Sequence, residues 1–335
     1  MRKSGRVALI AHGGAGGRAP FNERANRRRA IIAAGERGTQ ILRDGGSALD
    51  AVCATVTLLE DDPLFNAGYG SVLTVEGKVE MDAAVMVARN GFESANGSNL
   101  QPPVRHGHFE LRAGAVVLIS RIRNPILLAR AVMERSPHVL IGGANAERLA
   151  ARYGFDLCRP EELISERARE RWRAVMEGRR VAAAEADRHG TVGATALDAH
   201  GNIAAATSTG GISGKLPGRI GDSAVIGAGV FADVRGGASA TGTGEAIIKI
   251  ALCREAVLML GRRDPMRVAE NVIRQLGEST GAQAGIVLVD GAGRVGYAHN
   301  AEAMEVASFD SAHGLRHLMP EAIAGGTVAH VNYPR

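Results

Sequence analysis

The segment HGTVGATALDAHGNIAAATSTGG, residues 189–211, leaves a chain little freedom in how it folds. TVGATALD alternates small, branched and apolar residues, AHGN supplies turn signals, and IAAATSTGG resumes the run. This pattern predicts two short buried strands joined by a turn. Such small side chains suit closely layered elements, and the whole chain shares the bias, with 44 glycines and only 4% aromatic residues. Thr191 stands directly behind a His-Gly pair at the head of the first strand. A strand threonine is ordinarily a packing residue, so the surrounding sequence has to decide whether this one does more.

At 335 residues the chain can bury a large core as one domain or two. An apolar content of 45% with 22% charged residues is that of a soluble globular protein. No run approaches the roughly 18 uncharged apolar residues of a membrane span. The opening MRKSGRVALIAHGGAGG has a basic start, but VALIA is shorter than a signal-peptide core of about 7–15 residues, so a buried first strand is expected. The three cysteines, Cys53, Cys158 and Cys253, are far apart and form neither a disulfide framework nor a zinc pattern. The expected compartment is the cytoplasm. The net charge is +5, with arginines bunched at Arg27, Arg28 and Arg29 and again through 166–180. They are mixed with glutamates or lie on helical patterns, and no aromatic set is interleaved for stacking. Solvated surface is therefore expected, with neither nucleic acid nor membrane as a partner.

Helical periodicity runs from about residue 22 to 60, with Ser47 and Asp50 at capping-box spacing. SVLTVEGKVEMDAAVMV reads as a hairpin turning at Glu76-Gly77, residues 90–110 as a Pro/Gly-broken loop, and AGAVVLIS as a strand. NPILLARAVMERS and GANAERLAARYG read as helices. Residues 159–187 are highly charged and show no core stripe, which predicts a surface connector. Strands return at Thr191, followed by helices near 244–260 and 265–276 and a last hairpin, AGIVLVDGAGRVGYAHN. Strands at both ends, with helices between and after them, suggest a layered α/β/β/α arrangement.

Three glycine loops invite a nucleotide reading, and none has the pattern for it. HGGAGG lacks the Rossmann spacing, because the third glycine position falls on Ala19. GGISGKL has Leu216 where a phosphate-binding loop needs Ser or Thr, and its glycine spacing is one short. TGTGEA at 241–246 could cradle a phosphate at a helix start. Close approach of backbone to any ligand explains all three loops equally well.

Four segments in the same order along nearly the whole chain resemble plant-type asparaginases. These are also called isoaspartyl peptidases, of the N-terminal-nucleophile hydrolase superfamily. The segments are HGGAGG, LLEDDPLFNAGYGSV, HGTVGATALDAHGNIAAATSTGGISGKLPGRIGDS and ATGTGE. The resemblance implies a four-layer αββα sandwich in a single domain. It implies self-cleavage between Gly190 and Thr191 into subunits 1–190 and 191–335, with the charged connector ending the first. It also implies a homodimer of the cleaved units. Asparagine and β-aspartyl dipeptides are the implied substrates, and no cofactor is implied for catalysis. This fits the chemistry of a threonine hydroxyl, a weak nucleophile that needs an adjacent base. The α-amine freed at Thr191, with a pKa near 8, suits that task at neutral pH.

Further roles follow by matched position. The resemblance implies Thr209 as the threonine that orients the nucleophile, and Thr241 and Gly242 as the oxyanion-hole pair. It implies Arg219 as the grip on the substrate α-carboxylate, where a planar fork suits bidentate contact. Asp222 becomes the partner of the α-ammonium, and Asn66 the support of the nucleophile region. As a turn without function, Arg219 to Asp222 would be a surface ion pair of little value. In the family a structural sodium ion is held by backbone carbonyls, here those of Leu59, Glu60, Asp62, Phe65, Ala67 and Tyr69. Oxygen-only coordination suits a hard cation, though Asp62 replaces a more usual small residue.

The sequence departs from the family at two places. Loop 90–110 is longer by roughly twenty residues, against links of 2–6 residues, and is either a tolerated insertion or a restriction on larger peptides. GGISGKLPGR replaces the commoner Met-Thr-Asn centre. Other readings remain. A glycosylasparaginase would carry His-Asp-Thr-Ile-Gly where this chain has His-Gly-Thr-Val-Gly. A non-catalytic relative would have lost Thr191, Thr209 or Arg219, and all three are present. A dinucleotide-dependent oxidoreductase lacks its fingerprint.

Overall fold

The computed structural model describes residues 6–91, 100–102, 104–178, 190–311, 313–319 and 321–323. Strand β1 (Ala8–Gly16) is buried at every position, which explains a sequence without polar alternation. It runs antiparallel between β6 (Val192–Leu197) and β12 (Ala303–Asp310). β6 pairs with β7 (Ile203–Thr209), so the two strands expected around the AHGN turn are there. Asp198 closes the turn, its Oδ1 accepting from the N–H groups of His200 and Asn202 at 2.9 and 3.0 Å, an Asx-type local bond. β2 (Met81–Asn90), β3 (Val104–His106), β4 (Phe109–Ile119), β5 (Leu140–Gly142) and β13 (Gly314–Leu318) complete the sheet. Its nine strands run β13-β12-β1-β6-β7-β2-β4-β3, with β5 parallel on β4. A second, antiparallel sheet orders β11 (Val295–His299), β10 (Ala284–Asp290), β9 (Gly236–Gly242) and β8 (Val230–Asp233).

Side chains alternate across each strand, and the alternate faces fill separate cores. Leu9, Ala11 and Val85 face Ile31 of α1 (Phe21–Arg43), Val52 and Leu59 of α2 (Ala48–Asp61) and Ile126 of α3 (Pro125–Arg135). Ala8, Ile10, Met86 and Ala205 instead meet Val230, Ala232, Val287 and Val289 of the second sheet. The outer face of that sheet, Ala238, Ile286 and Leu288, carries α7 (Leu252–Met259) and α8 (Pro265–Thr280). Helix α8 shows how locally this is encoded. Asp264 caps the N–H groups of Met266 and Arg267, Pro265 opens the first turn, and Gly281 ends the helix at φ 67. Its buried Val268, Val272, Ile273 and Leu276 lie on one face. Each such burial contributes about 1.5–3 kcal/mol.

The shortage of large side chains has a direct cause between the sheets. A Cβ on Gly193 of β6 would lie 2.6 Å from His12 Nε2 and would collide with Ser239 Oγ. Alanine and glycine are what this spacing admits.

Several local expectations change. The hairpin at Glu76-Gly77 is a single bridge, Leu73 to Val79, because Thr74 and Lys78 close it at once. Within 90–110 the described residues include β3 and the start of β4, so that segment is not all loop; residues 92–99 and 103 lie outside the described residues. The helix expected over 244–260 is two helices, α6 (Gly244–Ile250) and α7, broken at Ala251 with φ 51. α4 (Gly143–Arg152) is as expected. Within the charged connector, Ser165 caps α5 (Glu166–Met176), and Ala168, Arg171 and Ala174 are buried. The stripe was overlooked because it contains an arginine; residues 179–189 lie outside the described residues. Strand β12 was not anticipated either. Its sequence, AMEVASFD, is buried on both faces and so lacks a clean polar–apolar alternation. No helix among the described residues is long and apolar enough to cross a membrane.

Candidate active site

Thr191 sits immediately before β6 and Thr209 ends β7, so the hairpin itself delivers both hydroxyls to one place. The two residues are buried, and Thr191 Oγ1 donates to Thr209 Oγ1 at 3.0 Å. Thr209 Oγ1 also accepts from Gly211 N–H at 3.0 Å, which leaves its own proton free to turn toward a third group.

Asn66 is fully buried, and its main-chain and side-chain polar groups all bind within this region. Its backbone N–H donates to the Gly190 carbonyl at 3.2 Å, and its carbonyl accepts from Gly210 N–H at 3.0 Å. Its Nδ2 donates to Gly211 O at 2.7 Å, and its Oδ1 accepts from Val72 N–H at 2.9 Å. The residue therefore ties Gly190 to the chain just past Thr209. The carbonyl it holds is that of the Gly190–Thr191 peptide.

Thr241 and Gly242 come from β9, across the gap between the sheets. Thr241 is fully buried, and its Oγ1 accepts from Ala15 N–H of the first glycine loop at 3.2 Å. Gly242 has φ 141, a conformation reserved for glycine. Thr191, Thr209, Gly211, Arg219, Asp222 and Gly242 line one cavity of about 10 Å³. That volume is about one water molecule, too small for an amino acid.

Arg219 and Asp222 do not form the ion pair that a functionless turn would make. The Arg219 Nε and Nη2 both donate to Glu245 Oε1, at 3.0 and 2.9 Å. Glu245 takes one edge of the guanidinium and leaves Nη1 beside Gly211 and Gly221. Asp222 is buried, and its Oδ2 has no hydrogen-bond partner. Burial pushes its carboxyl up to about 7, against the pull of the Arg219 charge. An orphan carboxylate oxygen opposite a half-free guanidinium is an arrangement for a zwitterion. A Cβ on Gly244 would lie 2.8 Å from both Arg219 Nη2 and Asp222 Oδ1, so the glycine start of α6 lets the two groups converge.

Three supporting residues went unnoticed in the sequence. Glu245 closes the ATGTGE segment and holds Arg219. Asp82 of β2 accepts from Leu118 N–H at 3.0 Å and Gly221 N–H at 3.3 Å, fixing the turn that carries Arg219 and Asp222. His12 is fully buried, and burial pushes its imidazole down to about 3, so it is neutral. Its Nε2 meets Ser239 Oγ at 2.9 Å, and Ser239 meets Thr207 at 2.7 Å, a polar chain bridging the sheets behind Thr191. None of these carries a signal in a single sequence, since Glu245, Asp82 and His12 act through partners 26, 139 and 227 positions away.

The family model described as Asparaginase matches residues 5–317. The chain belongs to the asparaginase family. Among its relatives in that family, the "Isoaspartyl peptidase/L-asparaginase" of Mus musculus is 43% identical over 253 residues, 75% of this chain and 72% of its own. The "Isoaspartyl peptidase" of Escherichia coli (strain K12) is 38% identical over 316 residues, 90% of this chain and 92% of its own. The Homo sapiens "Isoaspartyl peptidase/L-asparaginase" is 42% identical over 248 residues, covering 73% and 74% of the two chains. Pro63 has no N–H to return to the Leu59 carbonyl, and Leu64 N–H turns instead to the Asp62 carboxylate at 2.9 Å. The carbonyls of Asp62, Pro63 and Phe65 all face the hydrogen side of Gly70, where no Cβ intrudes. This oxygen-rich pocket fits a hard cation. Among the described residues no cluster of His, Cys, Asp and Glu could hold a metal through side chains.

Proposed function

We propose that this asparaginase-family chain is a self-processing threonine amidohydrolase that cleaves asparagine to aspartate and ammonia and hydrolyses β-aspartyl dipeptides. The observation that carries the reading is the pairing of Thr191 Oγ1 with Thr209 at 3.0 Å, beside a Gly190 carbonyl held by Asn66 N–H. Thr191 Oγ1 attacks the Gly190 carbonyl carbon while Asn66 N–H stabilises the oxygen. The C–N bond breaks, and the acyl group moves from nitrogen to the threonine oxygen. Water then hydrolyses the ester and leaves a free α-amine. That amine takes the hydroxyl proton in each later turnover. We assign the developing oxyanion of the substrate amide to Thr241 and Gly242, of which Gly242 lines the Thr191 cavity, and its α-carboxylate and α-ammonium to Arg219 and Asp222. Intact-mass measurement, followed by assay on asparagine and β-Asp-Leu, tests the whole reading.

The fold we assign is the four-layer αββα sandwich of N-terminal-nucleophile hydrolases, a single domain. The helical cores on the outer face of each sheet support it. We place the mature enzyme in the cytoplasm as a homodimer of cleaved units. Analytical ultracentrifugation tests its assembly.

Asp222 makes the substrate affinity pH-dependent. A carboxyl near 7 is neutral at low pH and cannot pair with an ammonium group. Between pH 6 and 8 its ionised fraction rises from about a tenth to about nine-tenths, so KM for asparagine should fall about tenfold. Asp222→Asn should flatten that fall. A KM for the wild type that does not move with pH refutes the role.

The loop at 59–69 would hold sodium through the carbonyls of Leu59, Glu60, Asp62, Phe65, Ala67 and Tyr69, as a structural ion with no part in the chemistry. Exchanging sodium for N-methylglucamine at constant ionic strength should lower Tm by a few degrees. At ten times Kd a bound ion contributes about 1.4 kcal/mol. An unchanged Tm removes the ion from the account.

A further inference from the structure

At the first glycine loop lies a cleft of about 230 Å³ lined by Gly14, Gly17, Arg18, Arg24, Arg28 and His317, none of which lines the Thr191 cavity. One carboxylate, Glu305, also lines it, and that group is occupied by the buried Arg27 at 3.2 Å. Arg27 is itself fully committed, with Nη1 on the Leu64 carbonyl and Nη2 on Gly13 O at 3.0 Å. The remaining arginines are exposed, and none has a carboxylate partner among the described residues. Arg24 is held by Nε at Ala19 O, 2.9 Å away, with its terminal nitrogens free of any carboxylate. His317 Nε2 has no hydrogen-bond partner. Burial, and to a lesser degree the neighbouring Arg28 charge, push its imidazole down.

Like charges converge at one concavity only against their mutual repulsion, which an anion between them reverses. We propose that this cleft is a binding site for a small oxyanion of two or more charges, a phosphate or a compact polycarboxylate. Arginine forks suit the planar, multidentate oxygens of both. The volume lies below the roughly 300–1,000 Å³ of sites for drug-sized molecules, which favours an ion over a nucleotide. The site is distinct from the substrate cavity yet touches its surroundings. Arg27 binds Gly13 O, and two residues on Ala15 N–H binds Thr241 Oγ1.

Calorimetric titration of the full chain with inorganic phosphate, and separately with citrate, tests the assignment at constant ionic strength. The expected result is saturable binding of at least one of them at a single site, weakened about tenfold or more in Arg18→Gln/Arg28→Gln. Added sodium chloride should weaken it further. Saturation by phosphate alone identifies a phosphate site, and saturation by citrate alone a polycarboxylate site. Both side chains are exposed, so the variant should keep the wild-type Tm without ligand; if it does not, single Arg18→Gln replaces it. Absence of saturable heat with both anions, or equal affinity in the variant, overturns the proposal.

Discussion

Replacing Thr191 with alanine should leave the chain in one piece and without amidase activity. Denaturing mass spectrometry of the wild type should give fragments 1–190 and 191–335, the second beginning at Thr191. Thr191→Ala should show only the intact mass after any incubation. Loss of the nucleophile removes the covalent route in self-cleavage and in turnover alike, so kcat should fall by at least about 10⁴-fold. Folding is not the reason. The substitution removes a hydroxyl and one hydrogen bond to Thr209, about 1 kcal/mol. Thr191→Ser keeps an attacking oxygen and should process, more slowly, because it lacks the methyl group that fixes χ1. A wild-type protein that stays uncut and yet hydrolyses asparagine would disprove the mechanism. So would an alanine variant that is cut at the same bond.

Arg219→Ala should cost about 1.5–3 kcal/mol in kcat/KM on asparagine, a loss of roughly 10- to 150-fold. The guanidinium is held by Glu245 on one edge, at 2.9 and 3.0 Å, and its other nitrogen borders the Thr191 cavity. Removing it leaves the Glu245 and Asp222 carboxylates with no counter-charge between them, so the substrate carboxylate meets repulsion as well as a lost fork. The loss should therefore depend on that carboxylate. An asparagine analogue with the α-carboxylate amidated should bind the wild type poorly and respond little to Arg219→Ala. Equal losses on both substrates would take Arg219 out of carboxylate recognition.

The strongest features of this protein were legible because they are local or nearly so. The 189–211 hairpin is encoded by consecutive residues, and pairing β6 with β7 automatically places Thr191 next to Thr209. The cap at Ser47 is likewise short-range, and the N–H group it satisfies lies within a turn of it. Segment order, together with the motif residues, was enough to name the family. What stayed hidden depended on approach between distant parts. Nothing in GGISGKLPGR says that Arg219 will lie against Glu245, because that requires α6 to start at Gly244 beside the Arg219 turn. Nothing in the first strand says that His12 will be neutral, because its titration is set by complete burial under the second sheet. The same limit applies to Asp222, an ordinary carboxylate in sequence whose carboxyl rises to about 7 once packing excludes water. Sequence determined which groups the site contains, since residue identity and short-range bonding are written along the chain. Tertiary structure decided their charge states and supporting partners, since desolvation and Coulomb interaction depend on distances that only the closed fold sets.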